Sequence, residues 1–310
     1  MKTPRSRSPV NLAAAYARLP RNSRGALWML ASALCFTVMT MLIKLLGQDY
    51  PAALQTFYRQ AAGLLVLTPL ILRDPRAAFR TTRPGILVFR ALAGTVGLIL
   101  AFYSYQMMPL ADANALSFTR TLWLAPLALF VLQENVGPRR LAATVVGFLG
   151  TLLMLQPSLQ GSMAWPAAAG LASSLLFALT ITGMKVMTRD HTTMTLMAWS
   201  AALGLILAVP PALFVWRWPT LGDLALLAVM GVLGTLTQAC YIQGMAEGDA
   251  AAMGPIDYTR LVFAILLGYL WFGEIPTAVT LAGAAVVIGS TLYITWREAH
   301  LGKRAPPTRE

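Results

Sequence analysis

The stretch Ala31-Ser-Ala-Leu-Cys-Phe36 decides the fold, because its pattern returns 141 residues later as Ala172-Ser-Ser-Leu-Leu-Phe177. Further matches follow at a spacing of 140 or 141 residues, namely Lys44 with Lys185, Gly94-Thr95 with Gly234-Thr235, Thr119-Arg120 with Thr259-Arg260, and Glu134 with Glu274. Both copies lie in strongly apolar sequence. The pattern therefore indicates a duplicated unit, an organisation typical of membrane transporters.

The composition indicates a protein of the lipid bilayer. Charged residues make up 12% of the chain, against about 25% in an ordinary soluble domain, and the mean hydropathy is +0.64. A net charge of +12 would suit a nucleic-acid partner, but here the basic residues flank apolar runs of membrane length, so we exclude nucleic acid. Cys35 and Cys240 both fall inside such runs, and no disulfide is predicted.

Ten segments are long and apolar enough to cross a bilayer, which takes about 20 residues. They are 25–46, 52–72, 84–107, 111–132, 140–156, 164–187, 193–216, 220–245, 250–272 and 277–297. Their apolar runs are continuous, whereas barrel strands alternate. We therefore predict an all-α integral membrane protein with ten transmembrane helices.

The lysines and arginines set the orientation, because they collect on the cytoplasmic side. With the N-terminus inside, that side receives 17 of the 24 and the opposite side receives only Arg217. Five helices per copy is an odd number, so the second copy enters the membrane upside down. We predict two inverted five-helix repeats, 25–156 and 164–297, between cytoplasmic tails at 1–24 and 298–310.

The fourth helix of each repeat carries a family resemblance. The segment Asp257-Tyr-Thr-Arg260 continues to Phe272-Gly-Glu-Ile-Pro276, and its first-half cognate runs from Phe118-Thr-Arg120 to Glu134. With the inverted halves, this pattern resembles the drug/metabolite transporter superfamily and its group with paired EamA domains. The resemblance implies an inner-membrane protein. It also implies cargo such as amino acids, nucleotide-derived metabolites, riboflavin, S-adenosylmethionine or drugs, moved inward or outward.

Two arginines lie deep in repeat-related helices. Arg120 and Arg260 are each nine or ten residues from a helix start, roughly 14 Å into the bilayer. Inverted-repeat transporters bind substrate near this depth, so both arginines are candidate substrate contacts. The alternative is that they tie helices together through backbone carbonyls. Lys44 and Lys185, near helix ends, are expected to extend to the membrane surface instead.

Asp257 is expected to form an ion pair with Arg260, because a spacing of three residues puts both on one helical face. Serving as a proton carrier is its alternative role, which such a pair disfavours. The position that matches Asp257 in the first half is Ser117. Arg120 therefore lacks an in-helix partner, and we expect it to meet a carboxylate, a phosphate or an electron-rich ring of the substrate.

Aromatic and amide side chains suit a binding cavity around these charges. The further candidates are Arg59, Tyr103, Gln106, Trp123, Trp199, Tyr241, Gln243 and Tyr258. Other locations stay open for three of them. Gln106 and Gln243 lie near helix ends, where they would face water, and Trp199 would equally suit an interfacial belt.

The sequence contains no intramembrane carboxylate pair at helical spacing and no phosphate-binding loop, so we predict neither an enzyme nor a user of nucleotide energy. No metal or cofactor is predicted. We expect a secondary transporter that moves a small organic metabolite by alternating access, export being favoured. The alternatives are an uptake carrier for a vitamin or cofactor such as riboflavin or S-adenosylmethionine, and a membrane scaffold without transport. Its partners are the substrate and the bilayer, and a homodimer is left open.

Overall fold

The computed structural model describes residues 19–130, 138–155, 163–187, 193–247 and 256–302, together with Gln133 and Met253. The helices of the first half are α1 (Arg21–Leu45), α2 (Ala52–Arg73), α3 (Pro75–Phe79), α4 (Pro84–Met107), α5 (Leu110–Ser117), α6 (Thr119–Phe130) and α7 (Pro138–Leu155). Those of the second half are α8 (Ala164–Met187), α9 (Thr193–Phe214), α10 (Leu221–Glu247), α11 (Thr259–Phe272) and α12 (Ala278–Gly302). No strand occurs in these described ranges.

The apolar helices have the dimensions of membrane spans. Five are long and apolar enough to cross a bilayer, namely Arg21–Leu45, Pro84–Met107, Ala164–Thr182, Thr195–Phe214 and Leu221–Glu247. Large apolar side chains also point outward, with Phe214 90% exposed and Leu65 72% exposed. Lipid accommodates such a surface, whereas water would penalise it. The prediction of an all-α membrane protein is confirmed.

Two predicted spans are interrupted, at equivalent places in the repeat. The fourth span, predicted as one helix over 111–132, is divided at Phe118 into α5 and α6. In the ninth, predicted over 250–272, α11 begins only after a turn at Tyr258. The two spans are thus present but divided within their predicted bounds, at Phe118 and at Tyr258.

A threonine follows each interruption. The Thr119 hydroxyl donates to the Leu116 carbonyl, and the Thr259 hydroxyl donates to the Ile256 carbonyl, each at 2.7 Å. Such bonds are local alternatives to the regular helical hydrogen bonds of the backbone. Both breaks thus coincide with the Thr-Arg pair that the two halves share.

The two ends of the helix bundle are identified by contacts between α1 and α10. Arg24 near the start of α1 pairs with Glu247 at the end of α10, at 3.3 Å. Just beyond the other end of α1, the Tyr50 hydroxyl donates to Asp223 near the start of α10, at 2.8 Å. We call the first end the termini end and the second end, which contains Lys44, the Lys44 end. The helices α1 and α10 are thus antiparallel.

The halves are inverted with respect to each other. The first helix of the first half, α1, runs from the termini end to the Lys44 end. Its counterpart α8 begins at the Lys44 end, because Gly170 in its first turns lies against Ser104 near the end of α4. A Cβ at Gly170 would come within 2.7 Å of the Ser104 hydroxyl oxygen. The inverted repeat is therefore present in the helix directions as well as in the sequence.

Helices of one half pack mainly on helices of the other. The pairs α1 with α10, α4 with α8, and α7 with α12 form the largest helix interfaces. Small residues allow these helices to approach closely. A Cβ at Gly231 of α10 would lie 2.4 Å from the Ala62 Cβ of α2, and one at Gly244 would lie 2.8 Å from Met29. The interface between the halves is thus a tightly packed seam.

Candidate substrate site

Arg260 forms the centre of a cluster between the two halves. Its guanidinium lies over the Phe36 ring at 4.7 Å and over the Phe118 ring at 5.0 Å, and the residue is only 6% exposed. Its Nη2 donates to Asp257 Oδ2 at 2.7 Å, and its Nε donates to the Asp257 carbonyl at 3.2 Å. The charge is therefore both paired and covered by aromatic faces, which attract cations.

Phe118 and Tyr258 place this cluster on the axis that relates the halves. They occupy equivalent positions of the repeat, 140 residues apart, and their ring centroids lie 4.8 Å apart in an edge-to-face arrangement. Two equivalent residues touch only if both lie beside the axis that exchanges them. The two helix interruptions consequently meet there.

Further aromatic residues extend the walls of the cluster. The Phe36 ring contacts the Tyr105 ring edge-to-face at 6.2 Å, and the Tyr258 hydroxyl is hydrogen-bonded to Thr291. The Tyr105 hydroxyl is buried, and the side chain closest to it in hydrogen-bonding terms is Ser117 at the end of α5. We call Phe36, Tyr105, Phe118 and Tyr258 the aromatic walls.

Arg120 is the second arginine at the axis, and its charge is not neutralised in the same way. Within the described part of the chain it forms no hydrogen bond and no ion pair, and its side chain keeps some exposure. Its charge lies within electrostatic range of the hydroxyls of Tyr105 and Tyr258 in the aromatic walls. A partly exposed cation in a low-dielectric site attracts a negative group.

Arg59 is a third buried cation, on α2 where it faces α10. Its Nη1 donates to Gln60 Oε1 at 3.2 Å, while its Nε is buried without a hydrogen-bond partner among the described residues. A Cβ at Gly234 would lie 3.0 Å from that Nε. The guanidinium therefore lies in the interface between the halves, and it makes no contact with the aromatic walls among the described residues.

Three other predicted site residues make contacts elsewhere. Gln106 Nε2 donates to the Tyr50 carbonyl at 3.2 Å, at the Lys44 end. Trp199 Nε1 donates to the Phe79 carbonyl at 3.3 Å, at the termini end. Tyr103 is half-buried and packs against the main core. The structure thus places Gln106 and Trp199 in helix-end contacts, apart from the axis.

Of the remaining predicted site residues, two lie at a helix end and one lies near the axis. Tyr241 and Gln243 are exposed in the last turns of α10, where Gln243 Nε2 donates to Glu247 at 3.0 Å. Trp123 lies one turn after Arg120, and its indole donates to Ser174 Oγ at 3.0 Å. Of these residues only Trp123 is placed near the axis, and its ring packs edge-to-face against Phe148 at a centroid distance of 4.6 Å.

Lys44 corrects a sequence-based expectation. Instead of extending to the membrane surface, it forms an ion pair with Glu274 and donates to the Met108 carbonyl at 2.6 Å. Its ammonium also lies 5.2 Å from the Phe272 ring centroid. The expectation is wrong because the partners come from distant parts of the chain. The sequence did contain one signal for this ion pair, namely that both Lys44 and Glu274 recur in the repeat.

No group of three or more histidine, cysteine, aspartate or glutamate residues that could hold a metal ion occurs in the described ranges. The axis cluster combines a paired cation, a cation without a partner among the described residues, and aromatic walls at the junction of two inverted halves. This combination makes it a candidate binding site of a membrane protein.

The chain belongs to the EamA-like transporter family, whose model matches residues 23–156 and 164–296. This family is part of the drug/metabolite transporter superfamily. The two matched segments correspond to the two halves described above. The resemblance inferred from the repeated Thr-Arg and Glu residues is therefore confirmed.

Relatives of known function are transporters. The chain is 29% identical to the S-adenosylmethionine uptake transporter of Rickettsia bellii, covering 89% of this chain and 94% of that protein. It is 30% identical to the riboflavin transporter of Rhizobium johnstonii, with 88% and 91% covered, and 26% identical to the pseudopaline exporter CntI of Pseudomonas aeruginosa, with 87% and 95% covered. A solved crystal structure shares the fold, with a TM-score of 0.62, 17% identity, and coverage of 92% of this chain and all of that chain.

Proposed function

We propose that this protein is a secondary transporter that binds a small organic metabolite at the axis between its halves and carries it by alternating access. The observation that carries the proposal is Arg120, an accessible cation beside the aromatic walls with no partner among the described residues. A charge near the bilayer midplane costs at least about 2.5 kcal/mol. A substrate that neutralises this charge offsets that cost.

The two axis arginines have different roles in this proposal. Arg260 is held by Asp257 and by two rings, so it positions the aromatic walls. Arg120 binds the substrate through a carboxylate, a phosphate or an electron-rich ring. The Tyr105 hydroxyl, buried close to Ser117, is a polar group that the substrate can meet in the aromatic walls. Arg59 adds a further positive charge to the interface between the halves.

The named cargoes of the relatives suggest which chemical groups the substrate contains. Riboflavin and S-adenosylmethionine both contain a flat heteroaromatic ring, and such rings stack on aromatic side chains. S-adenosylmethionine also has a carboxylate, but its sulfonium and ammonium groups make it a net cation, which Arg120 and Arg59 disfavour. We therefore rank a neutral or anionic metabolite with an aromatic ring above a cation.

The proposed orientation has both termini in the cytoplasm, in a bacterial inner membrane. It is supported by the distribution of basic residues, with 17 on the side of the termini and Arg217 alone on the other. The Lys44 end is then external. Export is the direction that we propose first, and the exporter of Pseudomonas aeruginosa among the relatives is in line with it.

Uptake of a cofactor or vitamin is the second candidate. The observation that favours it is the relative of Rickettsia bellii, which is named as an uptake transporter and matches 89% of this chain. The same axis site serves both directions, because alternating access is reversible. The sign of net flux under a defined gradient separates the two candidates.

A thermal-shift screen followed by counterflow tests the proposal. Purified protein is heated with flavins, nucleotides, amino acids and S-adenosylmethionine, since a ligand that binds the folded state raises its melting temperature. Each stabilising compound is then tested for saturable counterflow in proteoliposomes, with Arg120→Gln as the binding variant and Trp199→Phe as the control away from the axis. Absence of counterflow for every stabilising compound would reject the carrier function and favour the scaffold.

A further inference from the structure

The Lys44–Glu274 ion pair joins the two halves at the Lys44 end. Lys44 lies in the last turn of α1, and Glu274 follows the end of α11, 230 residues further along the chain. Both side chains are largely buried, with 14% and 19% exposure. Burial makes such a pair expensive to form unless its remaining polar atoms are also bonded.

The backbone around the pair satisfies those remaining atoms. The Lys44 ammonium donates to the Met108 carbonyl at 2.6 Å, and the Leu110 N–H donates to Glu274 Oε2 at 2.7 Å. Gly273, with φ of 65°, turns the chain so that Glu274 points back into the bundle. The pair therefore fastens α1 and the end of α11 to the junction between α4 and α5.

This junction is closely packed and lies between the axis cluster and the Lys44 end. Leu46, Met108 and Leu110 around the pair are at most 4% exposed. At the same end the Tyr50 hydroxyl donates to Asp223, which raises the pKa of Tyr50 above its ordinary value. Because Tyr105 of the aromatic walls lies one turn below Met108 on α4, a molecule at the axis can leave toward this end only if the junction opens.

We propose that the Lys44–Glu274 pair is the gate at the Lys44 end and that it breaks once in each transport cycle. This inference rests on the proposed carrier function. Opening must separate α1 from α11, since these helices belong to different halves and alternating access moves one half against the other. The pair is suited to this task because breaking it exposes both charges to water. Their hydration offsets part of the attraction that is lost.

The repeat supports a gate rather than a permanent link between the two halves. Exchanging the halves maps Lys44 onto Lys185 and Glu274 onto Glu134. The same two residue types thus occur at the opposite membrane face by the symmetry of the repeat. The side chains of Lys185 and Glu134 lie outside the described residues, so the proposal is built on the Lys44 pair alone and Lys185 serves as a control position.

Cysteine labelling at Met108 tests the gate without any substrate. Cys35→Ser and Cys240→Ala remove the native thiols, and Met108→Cys places a thiol beneath the pair while leaving the bond from Lys44 to the backbone carbonyl. Proteoliposomes are treated with a membrane-impermeant maleimide from the side of the Lys44 end. We expect slow labelling in this background and labelling at least about tenfold faster after Glu274→Gln or Lys44→Met, equivalent to about 1.4 kcal/mol in the opening equilibrium.

The controls separate a gate from a general loss of structure. Glu274→Gln keeps the side-chain shape and can still accept from Leu110, so it carries the test if Lys44→Met does not fold. Lys185→Met makes the same chemical change at the repeat-related position and is expected to leave Met108 labelling unchanged or slower. Labelling at the background rate in folded Glu274→Gln would overturn the gate. Wild-type protein without counterflow would instead reject the carrier function, whatever the labelling rates.

Discussion

Phe118 and Tyr258 are equivalent residues of the two halves, and their rings touch at a centroid distance of 4.8 Å. Each lies at the interruption of its helix, one residue before the shared Thr-Arg pair. The duplicated element is therefore in contact with its own copy. That contact places the cations Arg120 and Arg260, two residues further along each chain segment, at equivalent positions about one axis.

The two arginines are predicted to respond differently to neutralisation. Arg120→Gln should lower ligand affinity at least about tenfold, because a charge-assisted contact contributes roughly 1.5–3 kcal/mol. The melting temperature should hardly change, since Arg120 has no partner among the described residues to leave unpaired. Thermal-shift titration measures both quantities. A tenfold loss of affinity that Arg120→Lys fully restores would argue for a charge contact without the bidentate geometry of arginine.

Arg260→Gln is predicted to destabilise the folded protein by roughly 3 kcal/mol, because removing one partner leaves the Asp257 carboxylate buried without its counter-charge. The double variant Arg260→Gln with Asp257→Asn should recover part of that loss. Unfolding in detergent, followed by tryptophan fluorescence, gives the difference. Equal stabilities of the single and double variants would show that the 2.7 Å ion pair contributes little.

Asp257 is predicted to serve the ion pair rather than proton coupling. Transport by Asp257→Asn should be reduced through misplacement of Arg260, but it should keep the dependence on a pH gradient that the wild-type protein shows. Initial rates in proteoliposomes with and without an imposed gradient provide the comparison. Loss of the gradient dependence, with net transport retained, would make Asp257 the proton carrier.

The seam between α2 and α10 is predicted to tolerate no added methyl group at Gly231. Gly231→Ala should cost about 1–3 kcal/mol through overpacking, since its Cβ would lie 2.4 Å from the Ala62 Cβ. Gly94→Ala is the matched control, because a Cβ at Gly94 would meet nothing within 4 Å, and alanine should stabilise that helix by roughly 0.5–1 kcal/mol. Similar melting temperatures for the two variants would contradict the tight seam.

The cation–π contacts of Arg260 are predicted to be worth about 1 kcal/mol each. Phe118→Leu and Phe36→Leu should each destabilise the protein through the lost ring contact and a small cavity. Double-mutant cycles with Arg260→Gln isolate the part due to the cation. A coupling energy near zero would mean that the rings at 4.7 and 5.0 Å only pack around the guanidinium.

Features that depend on local sequence were predictable. Apolar run length determined the spans, because a helix must satisfy its backbone within lipid over a fixed thickness. The spacing of three residues between Asp257 and Arg260 determined that they share a helical face, and the structure forms this pair at 2.7 Å. The repeat and the odd number of helices per copy determined the inversion.

Only the tertiary structure decided which distant residues surround those charges. Phe36 reaches Arg260 from the first helix of the other half, and Lys44 meets Glu274 across 230 residues of sequence. No periodicity within a helix encodes such contacts, since they depend on how the helices cross. The interruptions at Phe118 and Tyr258 were likewise hidden, because a break of one residue leaves the apolar pattern of the span unchanged.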